Sequence, residues 1–189
     1  MSSSVLLMSM SVDGYIAAPN DGPGNPGGDD FMRLHEWYQG PDGEFGRPAG
    51  EPGAIWDELH ATGALLVGRR TAEQVDYYGG DHHGVPIFVV SHDPGPVSYD
   101  NVYFVNDIET GMAQAKEAAG GKDVLVHGAV TAQSALAAGL LDELQISQVP
   151  VLFGSGLRLF DVLPRRVELE IVRVIDTAQA THIRYQVLR

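Results

Sequence analysis

The sequence predicts an α/β protein whose central, mostly parallel sheet is flanked by helices and finished by a C-terminal antiparallel hairpin. Short runs at 64–67, 86–90, 102–105 and 124–126 are apolar throughout and alternate with helical stretches. Strands buried on both faces read this way, and helices are what cover them. The last part of the chain follows a different rule: 167–175 and 180–188 alternate apolar with polar, with Asp176-Thr177 and no helix between them. That is the pattern of a hairpin.

The elements follow in order. Residues 5–12 form a strand interrupted by Ser9 and Ser11 that closes on Asp13-Gly14, with Tyr15 and Ile16 as an extension. Residues 17–53 are rich in Gly, Pro, Asp and Asn, and enclose one short helix at 31–38, where Phe31, Leu34 and Tyr38 keep helical spacing. The aromatic residues of this long loop favour an ordered flap. A short helix at 55–60 and a strand at 64–67 come next, and a helix opens at Thr71, which with Gln74 fits a capping box. The strands at 102–105 and 124–126 bracket a helix over 108–119, capped by Asn106 or Asp107 and stopped by Gly120-Gly121. A helix over 131–138, ended by Gly139, and a strand at 144–149 precede the hairpin. With no internal repeat and no composition break, residues 1–189 read as one domain.

Composition narrows the function. Only 12 Lys and Arg stand against 25 Asp and Glu, a net charge of −13 that opposes phosphate backbones and anionic lipid. Nucleic acid and membrane surfaces are therefore not expected partners. The absence of Cys excludes disulfides, thiolate catalysis and Cys-ligated zinc. No apolar run reaches the ~20 residues of a membrane helix, and Met1-Ser2-Ser3-Ser4 lacks a basic flank, so a cytoplasmic protein is expected.

In parallel α/β sheets ligands bind beyond the carboxyl ends of strands, where the next helix offers free N–H groups. Three such ends are equipped here: Gly68-Arg69-Arg70-Thr71, Ser91-His92, and His127-Gly128-Ala129-Val130-Thr131. Together they suggest a phosphorylated nucleotide spread over several strand ends, with the two guanidiniums as phosphate donors. A second pair, Arg165-Arg166, has no glycine, strand end or helix start beside it and serves as an internal control. There is no complete Gly-x-Gly-x-x-Gly, Walker sequence or Gly-x-Ser-x-Gly elbow; Gly154-Ser155-Gly156 follows a strand but lacks the third glycine. His82-His83 lie in a Gly/Asp-rich loop and are expected at the surface, and no metal is assigned.

The succession "SMSVDGYIA", "LLVGRRT", "PIFVVS", "VLVHGAVT" and "GLLDELQISQVPVLFGSGLRLF" covers nearly the whole chain. It resembles the dihydrofolate-reductase-like family, in particular stand-alone relatives of the reductase domain of riboflavin-biosynthesis deaminase-reductases. The resemblance implies a dihydrofolate-reductase-like fold, NADPH as cofactor and a homodimer. By position, Gly68, Arg69, Arg70 and Thr71 match the turn for the cofactor phosphates, including the 2′-phosphate. Ser91 and His92 match the adenosine side, and Gly128, Ala129, Val130 and Thr131 match the pyrophosphate turn. His127 departs from the family there, where glycines are usual. Asp13, in the Ser-x-Asp-Gly turn, would border the nicotinamide and substrate as hydrogen-bond partner or proton source. Phe31, His35 and Trp37 would close over the substrate, with His35 as a proton donor and Gly154 on the substrate side. The carboxylate that a true dihydrofolate reductase places before the Gly-Arg turn falls near Pro52, with Glu51 beside it and Asp57 and Glu58 further on, which argues against folate reduction.

The implied reaction is hydride transfer from NADPH to a C=N or C=O carbon of a heterocyclic or ribosylamino-pyrimidine-like small molecule, as in 5-amino-6-(5-phosphoribosylamino)uracil reductase. Two alternatives belong to other classes. One is a non-catalytic nucleotide- or flavin-binding protein of the same fold, and the other a structural dimer joined through the strand at 144–149.

Overall fold

The computed structural model describes residues 2–22, 24–93, 95 and 99–189. Its strands are β1 (Ser4–Ser11), β2 (Tyr15–Ala17), β3 (Ala64–Gly68), β4 (Ile87–Val90), β5 (Val102–Val105), β6 (Val124–His127), β7 (Glu143–Val149), β8 (Leu157–Arg158), β9 (Leu169–Asp176) and β10 (Thr181–Val187). The helices are α1 (Gly53–Ala61), α2 (Arg69–Gln74), α3 (Ile108–Ala118) and α4 (Ala129–Ala137). Eight strands form one sheet in the order β5-β4-β3-β6-β1-β7-β10-β9. The first six run parallel, and β10 turns antiparallel against both β7 and β9.

Strand period explains the continuous apolar runs. Leu66, Val126 and Leu6 face α3 and α4 and pack with Met112, Ala115, Ala132 and Ala135. The alternate residues Leu65, Val67, Ile87, Val89 and Leu125 face the other way and pack with Ala72 and Tyr77. Both faces are covered, so these strands have no polar side to show. A third cluster joins Leu34, Trp37 and Ile55 to Val149, Ile175 and Ala180, which ties the long loop to the sheet beside the hairpin.

Several local expectations change. Residues 31–38 form two 3-10 turns, Phe31–Leu34 and Glu36–Tyr38, entered through Asp30 at φ 57°. Tyr15–Ala17 is a separate strand paired with β8, a two-residue strand with no periodic signal of its own. The helix after β3 begins at Arg69, so Thr71 is not its cap. Gly68 holds that position without a side-chain hydrogen bond, and Gln74 donates to Asp21 instead. Asp107 caps α3 by accepting from the Thr110 N–H. The strand proposed as a dimer interface, β7, lies inside the sheet between β1 and β10, so it has no free edge to offer.

Candidate functional site

β3 and β6 are neighbours, with Val67 opposite His127, so the turns that follow them meet. Gly68 leads into α2, and Gly128, at φ 91° and ψ 147°, leads into α4. Each turn is keyed to the other. A Cβ at Gly128 would stand 2.8 Å from Thr71 Oγ1, and one at Gly68 would stand 2.8 Å from Thr131 Oγ1. The glycines thus allow two backbones and two threonines to close on one cleft. No side chain caps α4, which leaves the N–H groups of its first turn to face that cleft.

Both arginines beside the cleft are engaged by acids. Arg69 donates to Glu73 at 2.6 Å and to Asp93 Oδ2 at 3.2 Å. Arg70 pairs at 2.7 Å with Asp21, a nearly buried carboxylate of the long loop that also accepts from Gln74 and from the Gly27 N–H. Ser91 is buried and exchanges hydrogen bonds with the Asp93 backbone, while His92 is exposed. The control pair differs: among the described residues Arg166 pairs with its near neighbour Glu168, and both are well exposed.

From Thr71 and His127 a cavity of about 500 Å³ extends beneath the long loop. Phe31, Trp37, Tyr38, Phe45, Trp56 and Tyr78 give it aromatic walls. Trp37 is fixed there by donating from its indole N–H to Ser9 Oγ at 2.9 Å. Five histidines, 35, 60, 82, 83 and 127, also line it. Burial holds His35 and His127 down to about 4 and His82 to about 2, so all three are neutral at pH 7. A larger groove of about 770 Å³ lies across the wall formed by Trp37, Tyr38 and Phe45, but none of the strand-end turns reaches it.

An unusual backbone builds one side of the cavity. Asp76, Tyr77, Tyr78, Gly79 and Gly80 all have positive φ, from 46° to 78°. Left-handed backbone costs an L-residue about 1–2 kcal/mol, so this turn persists only because its surroundings hold it. Tyr99 donates to Asp76 at 2.8 Å, Tyr77 is buried against Phe104, and Tyr78 reaches His127 Nδ1 with its hydroxyl at 3.1 Å. Burial raises the Tyr78 pKa, so the hydroxyl keeps its proton.

The expected site residues therefore divide. Gly68, Arg69, Arg70, Thr71, Gly128, Ala129, Val130 and Thr131 meet at the paired turns, with Ser91 and His92 at the next strand end. Phe31, His35 and Trp37 line the cavity. Asp13 and Gly154 do not. They brace each other elsewhere: Asp13 accepts from Ser11 at 2.6 Å, from the Gly154 N–H at 2.8 Å and from the Phe153 N–H at 3.2 Å. The Ser11 hydroxyl and the two N–H donors lower the Asp13 pKa, so it stays ionised and has no proton to give. The expected proton source at Asp13 does not hold, and neutral His35 is no cationic acid either.

One other expectation is corrected. His82 and His83 are half-buried rather than fully exposed and form part of the cavity wall, hydrogen-bonded to each other at 2.6 Å. The glycines at 79, 80 and 84 around them were the available signal for a tight backbone. His127 ends β6 with its ring on the cavity lining, and Gly128 after it takes the conformation the turn needs. Tyr78 was missed, because a tyrosine before Gly-Gly carries no motif. Near the cavity, Asp57 is bound to Arg47 and Glu58 to Arg173, and Glu51 is exposed, so none supplies a free buried carboxylate. Among the described residues no group of three or more His, Asp or Glu is placed to hold a metal ion.

Comparison with known proteins bears on the fold and the family. A candidate riboflavin biosynthesis protein from Shewanella sp. PV-4 superposes with a TM-score of 0.76 at 25% identity, covering 99% of each chain. Dihydrofolate reductase from Enterococcus faecalis, solved with NADP(H) and RAB-propyl, superposes with a TM-score of 0.64 at 17% identity over 99% of this chain and 97% of its own. No curated protein matches. The fold is dihydrofolate-reductase-like, as the sequence suggests. The family described as RibD C-terminal domain matches residues 4–183, and the chain belongs to that family.

Proposed function

We propose that the protein is an NADPH-dependent reductase that delivers a hydride to a C=N or C=O carbon of a heterocyclic or ribosylamino-pyrimidine substrate, as a 5-amino-6-(5-phosphoribosylamino)uracil reductase does. The observation that carries this reading is the pair of mutually keyed glycine turns, opening directly onto an aromatic cavity through Thr71 and His127. A side chain at either glycine would collide with Thr131 or Thr71 and push the two turns apart, and the free N–H groups at the start of α4 suit phosphate oxygens, so the cleft suits a dinucleotide. Gly68, Thr71 and Gly128–Thr131 would hold its phosphates, Arg69 and Arg70 a 2′-phosphate, and Ser91 and His92 the adenosine side. Bound NADPH supplies the hydride.

The chain's own residues position the substrate and exclude water. Trp37 and Tyr38 wall the ring in, and the Tyr78 hydroxyl is a donor that remains protonated. Neutral His127, beside it, offers a hydrogen bond to a polar edge of the substrate. The same reading takes the protein as a cytoplasmic homodimer, a mass that sedimentation equilibrium checks.

The second reading, a non-catalytic nucleotide- or flavin-binding protein, draws on the cavity's lack of an ionised acid-base pair: Asp13 is elsewhere and His35 is uncharged. Fluorescence titration with NADPH tests both, followed by assay of NADPH oxidation with a pyrimidine and pterin panel. Binding with turnover supports the reductase, binding without turnover supports the second reading, and no binding sinks both.

A further inference from the structure

We infer that the ligand of the aromatic cavity is an uncharged planar ring system without a phosphate group. The inference rests on the cavity being the substrate site, and it narrows the substrate away from phosphorylated sugar-pyrimidines. The first observation concerns charge. None of the 12 Lys and Arg lines the cavity, and all 12 are among the described residues. Arg47, across the aromatic wall, is committed to Asp57 by two hydrogen bonds of 2.7 Å. The one carboxylate on the lining is Asp81. A phosphate dianion would thus leave water with no cation to meet it, beside an acid and within a chain of net charge −13.

The second observation concerns shape and hydrogen bonding. Tyr38 and Phe45 lie 5.0 Å apart between centroids, tilted by 33°, and Trp37 meets Tyr38 at 4.7 Å. Such walls favour a flat ring by stacking and edge contacts. Among the polar groups of the lining, Tyr78, His82, His83 and His127 are held neutral by burial and are donors and acceptors suited to ring nitrogens and carbonyls rather than to an anion. Burial lowers the pKa of His35, His82, His83 and His127 and so withdraws the positive charge that these four could have offered a phosphate.

Riboflavin and FMN provide a matched pair of probes, sharing a planar ring and differing by one phosphate. The chain has two tryptophans, and both line the cavity, so quenching of their emission reports its occupancy. In the full chain at pH 7.5, riboflavin should bind at least tenfold more tightly than FMN. Equal or tighter FMN binding overturns the inference, as does failure of both probes to bind. His60→Arg, which adds a cation on the exposed part of α1 at the cavity lining, should narrow the gap by raising FMN affinity. A gap that this cation leaves unchanged overturns the electrostatic account. NADPH is titrated separately: riboflavin binding without NADPH binding would remove the reductase reading and leave the cavity's preference standing.

Discussion

The cleft at the ends of β3 and β6 and the cavity beside it share Thr71 and His127, yet they handle charge in opposite ways. In the cleft the ionisable groups remain ions: Arg69 and Arg70 are partly or well exposed and held by Glu73, Asp93 and Asp21. In the cavity burial has stripped three histidines of charge, with His35, His82 and His127 all neutral at pH 7. Arg69, whose partners Glu73 and Asp93 are exposed, can exchange them for a phosphate at small cost, whereas Arg70 would leave the nearly buried Asp21 to Gln74 and the Gly27 N–H. A buried neutral imidazole cannot make that exchange. On the proposed assignments, the exposed guanidiniums would meet an anion and the neutral cavity a molecule without charge.

The largest expected effect tests the cleft's backbone. Gly128→Ala forces a side chain onto φ 91° and into Thr71, so cofactor affinity should fall by well over tenfold and stability should drop. Backbone strain of that kind costs about 1–3 kcal/mol, which a thermal melt reads directly. An unaltered NADPH titration would show that phosphate does not approach this turn.

Next come the charges. Hydrogen bonds to charged groups contribute about 1.5–3 kcal/mol, so Arg69→Ala or Arg70→Ala should weaken NADPH binding by about tenfold or more while leaving NADH nearly unchanged. Equal loss for both nucleotides would remove the 2′-phosphate assignment. Arg165→Ala is the matched control: its side chain lies in the exposed stretch before β9, and neither titration should move.

The smallest effect belongs to the cavity and is read from pH. A histidine in an unfolded chain titrates near 6.5, whereas burial keeps His35 and His127 unprotonated down to about 4. The unfolded chain therefore binds protons that the native cavity refuses. Stability is fully present above the unfolded value and is lost as pH falls from about 6.5 toward 4. Melting temperatures should be level above neutrality and decline below it. A level profile down to pH 4 would mean that the cavity accepts charge, and the contrast with the cleft would collapse.

Much of the scaffold was legible because burial on two faces leaves a direct mark. The parallel strands β3 to β7 fall within one or two residues of their apolar runs, and Asp107 caps α3 where the side-chain chemistry indicates. The paired turns were legible for a related reason, since a glycine at a strand end followed by a helix has few other uses. The cavity was not. Its walls come from a long loop, a left-handed turn and the strand end at His127, and what makes them a unit is tertiary packing. Thr71 and Gln74 show how this misleads: the capping-box spacing is present, but Gln74 finds a better partner in Asp21, 53 residues earlier in the long loop. His82-His83 misled in the opposite direction, since a polar loop composition conceals residues that fold inward.

The reciprocal keying of the two turns has an evolutionary consequence. Gly68 has an ordinary extended backbone, so what bars a side chain there is Thr131 alone, while Gly128 is bounded by Thr71. A substitution at 68 is thus a question asked of 131, and the two positions inherit changes as partners. In a lineage of related sequences, a larger residue at 68 should travel with a smaller one at 131. The cleft would then drift as one linked unit, leaving a trace of its three-dimensional contact in the statistics of a one-dimensional record.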